Sequence, residues 1–324
     1  MADANTNETA SGSLTAESYF THTSATGESA SASALPDRYH HSFISLFSVA
    51  HQLEVDILEA TWQPALGTLG AGASSHISLS NRITSRLAFA FKRRKLTDNS
   101  PEAIKKRYRG LICEILILRH PAVREHPNIT SLQGIAWEFD QGVAWPVLVF
   151  PEASHGSLAS FIQGGGGKTA SLEELLRICA GCGLGLEALH RNGGSSPTHS
   201  KLCANANTRY IGIIHGDIKP ENILVLQERG LYKAKLTDFE ASWISSSDDD
   251  LVKLGRTVPW DAPEWHTRWF TIKGAKQIDI YSFGLVGFFT LFQPVLSKSP
   301  TAMFVQLTMI DNCKQQTSSN PYPS

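Results

Sequence analysis

The residues best suited to chemistry lie in one stretch, from His215 to Val225, which reads H-G-D-I-K-P-E-N-I-L-V. Within it, Asp217, Lys219 and Asn222 stand at short, fixed offsets. A carboxylate can orient an attacking hydroxyl and take its proton, an ammonium can steady a transferring phosphate, and an amide oxygen can hold a metal ion. These residue types indicate phosphoryl transfer. The alternative is a hairpin whose charges are simply solvated.

A second carboxylate strengthens this interpretation. Asp238 follows another short strand pattern, in K-L-T-D-F-E. A loop that carries Asp and Asn, followed by a hairpin and a second Asp, is typical of a site that binds a metal and a nucleotide. The sequence therefore predicts that Asn222 and Asp238 lie close together.

Two further elements must lie near this site if a nucleotide binds there. Gly70 and Gly72 form a G-x-G between apparent strands, where the backbone could bend over phosphates, although small-residue turns are common. Lys92 ends an alternating strand pattern, whereas Arg93 and its basic neighbours are predicted to form a solvated edge. Lys92 could equally be one more cation of that surface cluster.

A helix is predicted from Pro101 to Arg119, with Ser100 as its N-cap and Pro101 at its first position. Glu114 lies among its apolar residues. A buried carboxylate needs a cationic partner, whereas a carboxylate on the helix surface would need none.

At this point the sequence resembles the protein kinases. The motifs that carry the resemblance are the two acidic stretches, the G-x-G with Lys92 and Glu114, and two later segments, Thr257–Glu264 and Asp279–Gly284. The resemblance implies an α+β, two-lobed fold. Its small lobe would be an antiparallel β-sheet with one helix, and its large lobe would be mainly helical and incomplete at the C-terminus.

The resemblance also implies the roles of the catalytic residues. Asp217 would position the substrate hydroxyl and accept a bond from Thr257, while Asp279 would brace the catalytic loop. Lys219 would contact the γ-phosphate. Lys92, paired with Glu114, would contact the α- and β-phosphates. Asn222 and Asp238 would bind Mg²⁺.

ATP would bind between the lobes. Phe150 would guard the back of the adenine pocket, and a P-E-A-S-H-G-S-L segment would form the hinge. The implied cofactor-binding residues are Gly70, Gly72, Ile77, Ala90, Lys92, Glu152, Ala153 and Leu224.

The predicted organisation is a disordered tail over residues 1–40, a leading helix over 41–60, a small lobe over 61–152, a truncated large lobe over 153–312 and a polar tail over 313–324. A glycine-rich run at residues 164–169 is predicted to be a flexible loop, because Ile162 breaks the P-loop pattern.

A finer resemblance, to a group of filamentous-fungal kinase-like proteins, is carried by Trp62–Leu66 and Phe89–Arg93.

Three features depart from the family pattern. Gly216 replaces the arginine that would pair with a phosphate on the activation loop, so activity is predicted not to need phosphorylation there. Glu240 replaces a glycine after Asp238, and it could either bind the metal or repel the nucleotide. The part after Gly284 is short for a kinase large lobe.

Composition limits the cellular context. The formal net charge is −1, so nothing suggests a nucleic-acid partner, and no apolar run reaches the ~18 residues of a membrane span. Five cysteines without a pairing pattern suit a reducing compartment, and no Lys or Arg precedes Arg38, unlike in targeting peptides. A cytoplasmic or nuclear protein is predicted.

Three functions remain open at this stage. The first is ATP- and Mg²⁺-dependent transfer to Ser or Thr hydroxyls of a protein substrate, which Lys219 favours. The second is a pseudokinase, a nucleotide-binding regulatory module, which Glu240 favours. The third is a small-molecule phosphotransferase, since such enzymes also carry H-G-D-x-x-x-x-N.

Overall fold

The computed structural model describes residues 41–58, 68–71, 75–80, 89–94, 100–140, 143–191, 212–245, 249–267 and 269–296. A five-stranded antiparallel sheet forms the smaller part, with the strand order β1-β2-β3-β5-β4. Its strands are β1 (Thr68–Ala71), β2 (Ser75–Ser80), β3 (Phe89–Arg94), β4 (Gly134–Asp140) and β5 (Val143–Pro151).

Two helices accompany this sheet. Helix α1 spans Phe43–Gln52 and helix α2 spans Pro101–Leu118, and the two pack together. Ser42 and Ser100 each cap a helix by accepting a hydrogen bond from a backbone N–H in the first turn. The N-cap and extent predicted for α2 are therefore confirmed. The leading helix, in contrast, ends at Gln52 rather than near residue 60.

The larger part is built on helices. They are α3 (Leu158–Gln163), α4 (Gly166–Thr169), α5 (Leu172–His190) and α6 (Ile272–Leu296), with short 3₁₀ helices at Pro220–Asn222 and Pro263–Thr267. The small strands pair as β6 (Gly212–Ile214) with β9 (Trp243–Ser245), β7 (Ile223–Glu228) with β8 (Leu231–Leu236), and β10 (Leu251–Lys253) with β11 (Trp269–Thr271).

The β7–β8 hairpin sets the distance between the two predicted metal ligands. Its turn, Arg229–Gly230, has positive φ at both positions, 52° and 81°, as a two-residue hairpin turn prefers. Ile223 lies opposite Leu236 in the register, and the Thr237 amide donates to the Asn222 carbonyl at 3.0 Å. The open end of the hairpin therefore brings Asn222 next to the residues that follow β8.

Helix α5 begins with a capping box, for which Ser171 followed three residues later by Glu174 is the sequence signature. The Ser171 side chain accepts from the Glu174 amide, and the Glu174 carboxylate accepts from the Ser171 amide at 2.7 Å. Between α3 and α5, the structure corrects one prediction. The glycine-rich run forms the short helix α4, in which Gly167 is buried and a side chain would meet Ile162.

One apolar core joins the two parts. It contains Ile115 of α2, Leu148 of β5, Ile178 of α5 and Phe239, each almost fully buried. Continuous burial of this kind keeps the sheet and the helices in contact across the site. The predicted two-lobed α+β class is confirmed. Among the helices described, none is long and apolar enough to cross a membrane.

Candidate active site

Asp217 lies in the connection between β6 and β7, surrounded by hydrogen-bond donors. Lys219 Nζ contacts its Oδ2 at 2.6 Å, and Asn222 Nδ2 contacts the same oxygen at 2.9 Å. The Thr257 hydroxyl donates to the other oxygen, Oδ1, at 2.7 Å, as the sequence predicts. Because both carboxylate oxygens accept bonds, the orientation of Asp217 is fixed.

The backbone before Asp217 is held by a buried carboxylate on α6. Asp279 is 1% exposed, and its two oxygens accept the amides of His215 and Gly216, each at 2.8 Å. Its Oδ2 also lies 2.9 Å from His190 Nε2, at the end of α5. The predicted bracing by Asp279 is therefore present, and His190 is a further support that sequence reasoning missed.

Gly216 has a backbone reason to be glycine. Its φ is +77°, and a Cβ atom added there would lie 2.9 Å from the Ala241 carbonyl oxygen. A side chain at this position would need both a left-handed conformation and a shift of the segment after Asp238.

Lys92 forms a second centre on β3, where a cation is surrounded by carboxylates. Its Nζ lies 2.9 and 2.8 Å from the two oxygens of Glu114 and 2.9 Å from Asp238 Oδ1. Glu114 is fully buried in the middle of α2. The predicted partnership is confirmed, and the alternatives in which Lys92 and Glu114 lie on the surface are wrong.

Glu240 joins this centre as a third carboxylate. Its Oε1 lies 3.3 Å from Lys92 Nζ, and its side chain is 7% exposed. Glu240 itself does not adopt a positive φ, because the positive φ in this segment falls at Asp238, at 67°. Aspartate tolerates that conformation better than most residues. Sequence reasoning singled out Glu240 but did not predict its contact with Lys92.

The surroundings shift the pKa values of this centre. Burial alone would lower the pKa of Lys92, but Asp238, Glu114 and Glu240 together raise it above its ordinary value. Burial raises the pKa of Glu114 to about 7; Lys92 counteracts this effect, while Asp238 and Glu240 add to it. Burial also opposes ionisation of Asp238, but the Lys92 ammonium outweighs it and keeps that pKa low.

Phe239 anchors the segment between the two acidic residues. It is fully buried, and its ring centroid lies 5.1 Å from that of His215. The Ser242 hydroxyl donates to the His215 carbonyl at 2.8 Å, which ties the same segment to the loop that carries Asp217. Packing therefore joins the Asp217 centre to the Lys92 centre.

The residues predicted to bind Mg²⁺ have suitable chemistry. Asn222 and Asp238 offer oxygen ligands, which Mg²⁺ prefers. The amide nitrogen of Asn222 donates to the Asp217 carbonyl at 2.9 Å, so its oxygen is the atom available to a metal. Oxygens of Glu114, Asp238 and Glu240 also lie within 4.8 Å of one another, but there the cation between them is the Lys92 ammonium.

Four predicted adenine-binding residues lie in β3, directly after β5 and in β7. Ala90 lies opposite the buried Phe150 in the register of β3 and β5. Leu224 is partly buried and bridges to Ser157, and Glu152 and Ala153 follow β5 directly.

The glycine-containing hairpin is described only in part. Gly70 lies within β1 rather than in the turn, opposite Ile77, which itself lies opposite Lys92 across β2 and β3. These three positions therefore form one row across the sheet. Gly72 lies outside the described residues.

One neighbour of Lys92 differs from its prediction. Arg93 does not belong to a solvated edge. It lies within β3, and its guanidinium pairs with Glu138 of β4. Successive strand residues point to opposite faces, which separates this pair from Lys92.

Comparison with known proteins supports the same interpretation. Residues 65–322 match the family model described as the protein kinase domain. The chain is 30% identical over 185 residues to the leucine-rich repeat receptor protein kinase MSL1 of Oryza sativa subsp. japonica. The matched stretch covers 56% of this chain and 11% of that protein. It is 31% identical over 166 residues to the G-type lectin S-receptor-like serine/threonine-protein kinase SD2-2 of Arabidopsis thaliana. This matched stretch covers 50% of the chain and 17% of that protein.

A fungal protein is also similar. The serine/threonine-protein kinase MST20 of Pyricularia oryzae is 26% identical over 235 residues, which cover 72% of this chain and 21% of that protein. In these relatives the matched stretch is thus about a fifth of the protein or less. Because the family model covers most of the chain, the chain belongs to the protein kinase family. The finer resemblance to a filamentous-fungal group stays a prediction.

Proposed function

We propose that this chain is a serine/threonine protein kinase that uses ATP and Mg²⁺. The observation that carries the proposal is the arrangement at Asp217. One carboxylate oxygen accepts from Lys219 and Asn222, and the other accepts from Thr257, at 2.6 to 2.9 Å. A carboxylate held in this way can orient a hydroxyl group without moving itself.

The proposed reaction is an in-line displacement. The oxygen of a substrate Ser or Thr attacks the γ-phosphorus of ATP, the bond to the β–γ bridging oxygen breaks, and ADP leaves with that electron pair. Asp217 orients the hydroxyl and receives its proton as the new bond forms. Lys219 lies 2.6 Å from Asp217, so its charge would stabilise the transferring phosphoryl group from the same side.

Other residues would hold the nucleotide. Lys92, fixed by Glu114, would contact the α- and β-phosphates, and the backbone at Glu152 and Ala153 would bind adenine. The side chains of Asn222 and Asp238 would hold Mg²⁺, which when bound neutralises phosphate charge. The remaining proposed contacts to the nucleotide are those of Gly70, Gly72, Ile77, Ala90 and Leu224.

Two further points belong to the proposal. Activity should not require phosphorylation of the segment that begins at Ser245, the last residue of β9, because Gly216 stands where the family has the arginine that pairs with such a phosphate. Ser245 supports this, since it is 2% exposed and donates to Asp250 at 2.8 Å. The proposed location is the cytoplasm or nucleus, on the basis of the unpatterned cysteines.

The test is turnover of Mg²⁺-ATP with generic protein substrates by the full chain and by Asp217→Asn. We expect the substitution to lower turnover by about 10²- to 10⁴-fold, because it removes the proton acceptor while keeping the shape of the side chain. Glu228→Gln is the matched control, since that carboxylate pairs with Lys233 on the surface of the hairpin. Equal turnover by the Asp217→Asn variant would contradict the proposal.

A pseudokinase is the second candidate, because Glu240 contacts Lys92. Its signature would be nucleotide binding by a folded protein without turnover. Transfer to aminoglycosides or choline, but not to proteins, would instead indicate a small-molecule phosphotransferase.

A further inference from the structure

The ammonium of Lys92 has more carboxylate oxygens around it than it has protons to donate. Four oxygens lie within 3.3 Å of Nζ, two from Glu114 and one each from Asp238 and Glu240. A lysine ammonium has three N–H donors. The hydrogen bonds of Nζ go to the two oxygens of Glu114 and to Asp238, so the Glu240 oxygen is a fourth anionic neighbour with which a phosphate approaching Nζ must compete.

The three carboxylates are not held equally. Both oxygens of Glu114 lie within 2.9 Å of Nζ, and its side chain is fully buried in α2. The oxygen of Asp238 is also at 2.9 Å. Glu240, at 3.3 Å, has the longest contact, and it lies in the turn after Phe239 rather than within a helix or strand. Its contact is thus the weakest of those that Lys92 makes with carboxylates.

We propose that the Glu240 carboxylate occupies the place of nucleotide phosphate beside Lys92, so that phosphate binding displaces it. This inference rests on the proposed function, because it assigns Lys92 to the phosphates. A carboxylate and a phosphate both present anionic oxygens to the same ammonium, so their binding there is competitive.

The charge of the cluster adds to this competition. The single positive charge of Lys92 is shared by three acidic side chains, which leaves an excess of negative charge where an anionic nucleotide must approach. Like charges in contact repel strongly in the low effective dielectric constant of a partly buried site. A divalent cation bound with the nucleotide would offset this excess, so Glu240 should weaken metal-free binding more than binding in the presence of Mg²⁺.

The experiment is calorimetric titration of the full chain with ADP, in EDTA and then in Mg²⁺. The variants are Glu240→Gln, which keeps the shape but removes the charge, and Glu240→Gly, which removes the side chain. Glu138→Gln is the matched control, because this carboxylate pairs with Arg93, beside Lys92 on β3 but on the opposite face. Thermal unfolding of each variant identifies any loss of folding.

We expect both Glu240 variants to bind metal-free ADP about tenfold more tightly than the unchanged chain, with a smaller gain in Mg²⁺. The Glu138→Gln variant should bind like the unchanged chain. If Glu240 had a purely structural role, its substitution would not change the ratio of the ADP affinities measured with and without metal.

Unchanged or weaker ADP binding by both variants would overturn the inference, and weaker binding would indicate that Glu240 helps to hold the metal and nucleotide. This result is distinct from failure of the proposed function. If ADP binds more tightly to the variants but the chain never transfers phosphate, the inference stands and the kinase proposal falls. If neither the chain nor its variants bind ADP, both fall.

Discussion

The two charged centres of the site are opposites in sign and in construction. Asp217 is one carboxylate surrounded by the donors of Lys219, Asn222 and Thr257. Lys92 is one cation surrounded by the carboxylates of three residues. In the first centre every neighbour supports the charge that the proposed reaction needs. In the second, the neighbours use the hydrogen bonds that a nucleotide would need.

Under the proposed function, this difference separates two steps. Asp217 would be held ready for chemistry in the absence of substrate, whereas the Lys92 centre would rearrange when a phosphate binds. The family resemblance implies the first arrangement. The second depends on Glu240, the position where the sequence departs from the family pattern.

After Asp217→Asn, the largest expected effect is that of Lys92→Met. This change removes the cation but leaves the carboxylates of Glu114, Asp238 and Glu240 close together, so we expect turnover to fall by about 10²- to 10³-fold. Lys233→Met, on the surface hairpin, is the control. Steady-state turnover of Mg²⁺-ATP is the measurement. Retained activity in Lys92→Met would mean that this centre does not serve the phosphates.

Much of this arrangement could be predicted from the sequence. The N-caps of α2 and α5, the pairing of Lys92 with Glu114, and the bonds made by Thr257 and Asp279 follow from local patterns or from the family resemblance. Each depends on residue types at fixed offsets, which a single sequence displays.

The contacts that could not be predicted depend on the direction in which a side chain points. The contact between Glu240 and Lys92 joins residues far apart in the chain, and a carboxylate in a turn can point toward a metal or toward a lysine. The contact of His190 with Asp279 has the same character. A lone histidine at a helix end has no local signal for its partner. The helix α4 was missed because glycine has a low helix propensity, which packing overrides here.

Asp279→Asn tests the support of the Asp217 centre. One carboxylate oxygen accepts the Gly216 amide and the other accepts the His215 amide, so an amide group would place its own N–H₂ against one of these donors. We expect the free energy of unfolding to fall by about 3 kcal/mol, with a loss of turnover. Urea unfolding gives the first quantity. A fully stable, active variant would show that the catalytic loop holds its shape without this carboxylate.

Thr257→Ala tests a single donor to Asp217, and Thr257→Ser is its matched control. The Ala variant loses the 2.7 Å bond to Oδ1, whereas the Ser variant can keep it. We expect a fall in turnover of about tenfold for Ala and little change for Ser, because a hydrogen bond to a charged group contributes roughly 1.5–3 kcal/mol. Equal losses in the two variants would point to the lost methyl group rather than to the hydroxyl.

Ser171→Ala gives the smallest effect and a baseline for the others. Its side chain caps α5, at the end opposite His190, and contacts neither centre. We expect the free energy of unfolding to fall by about 1 kcal/mol while turnover at a temperature well below unfolding stays unchanged. If turnover falls as well, stability alone limits activity, and the effects at Asp279 and Thr257 must be corrected for it.

The β7–β8 hairpin has a practical consequence for work on this protein. Its open end carries the two predicted metal ligands, whereas its tip, Arg229–Gly230, is exposed, and nothing lies within 4 Å of a Cβ added to Gly230. Strands of this length separate the two ends by about 20 Å. A fluorophore or an inserted epitope at the tip would therefore belong to the same hairpin as Asn222 without contacting that residue. This turn is a suitable place to attach a reporter of nucleotide binding.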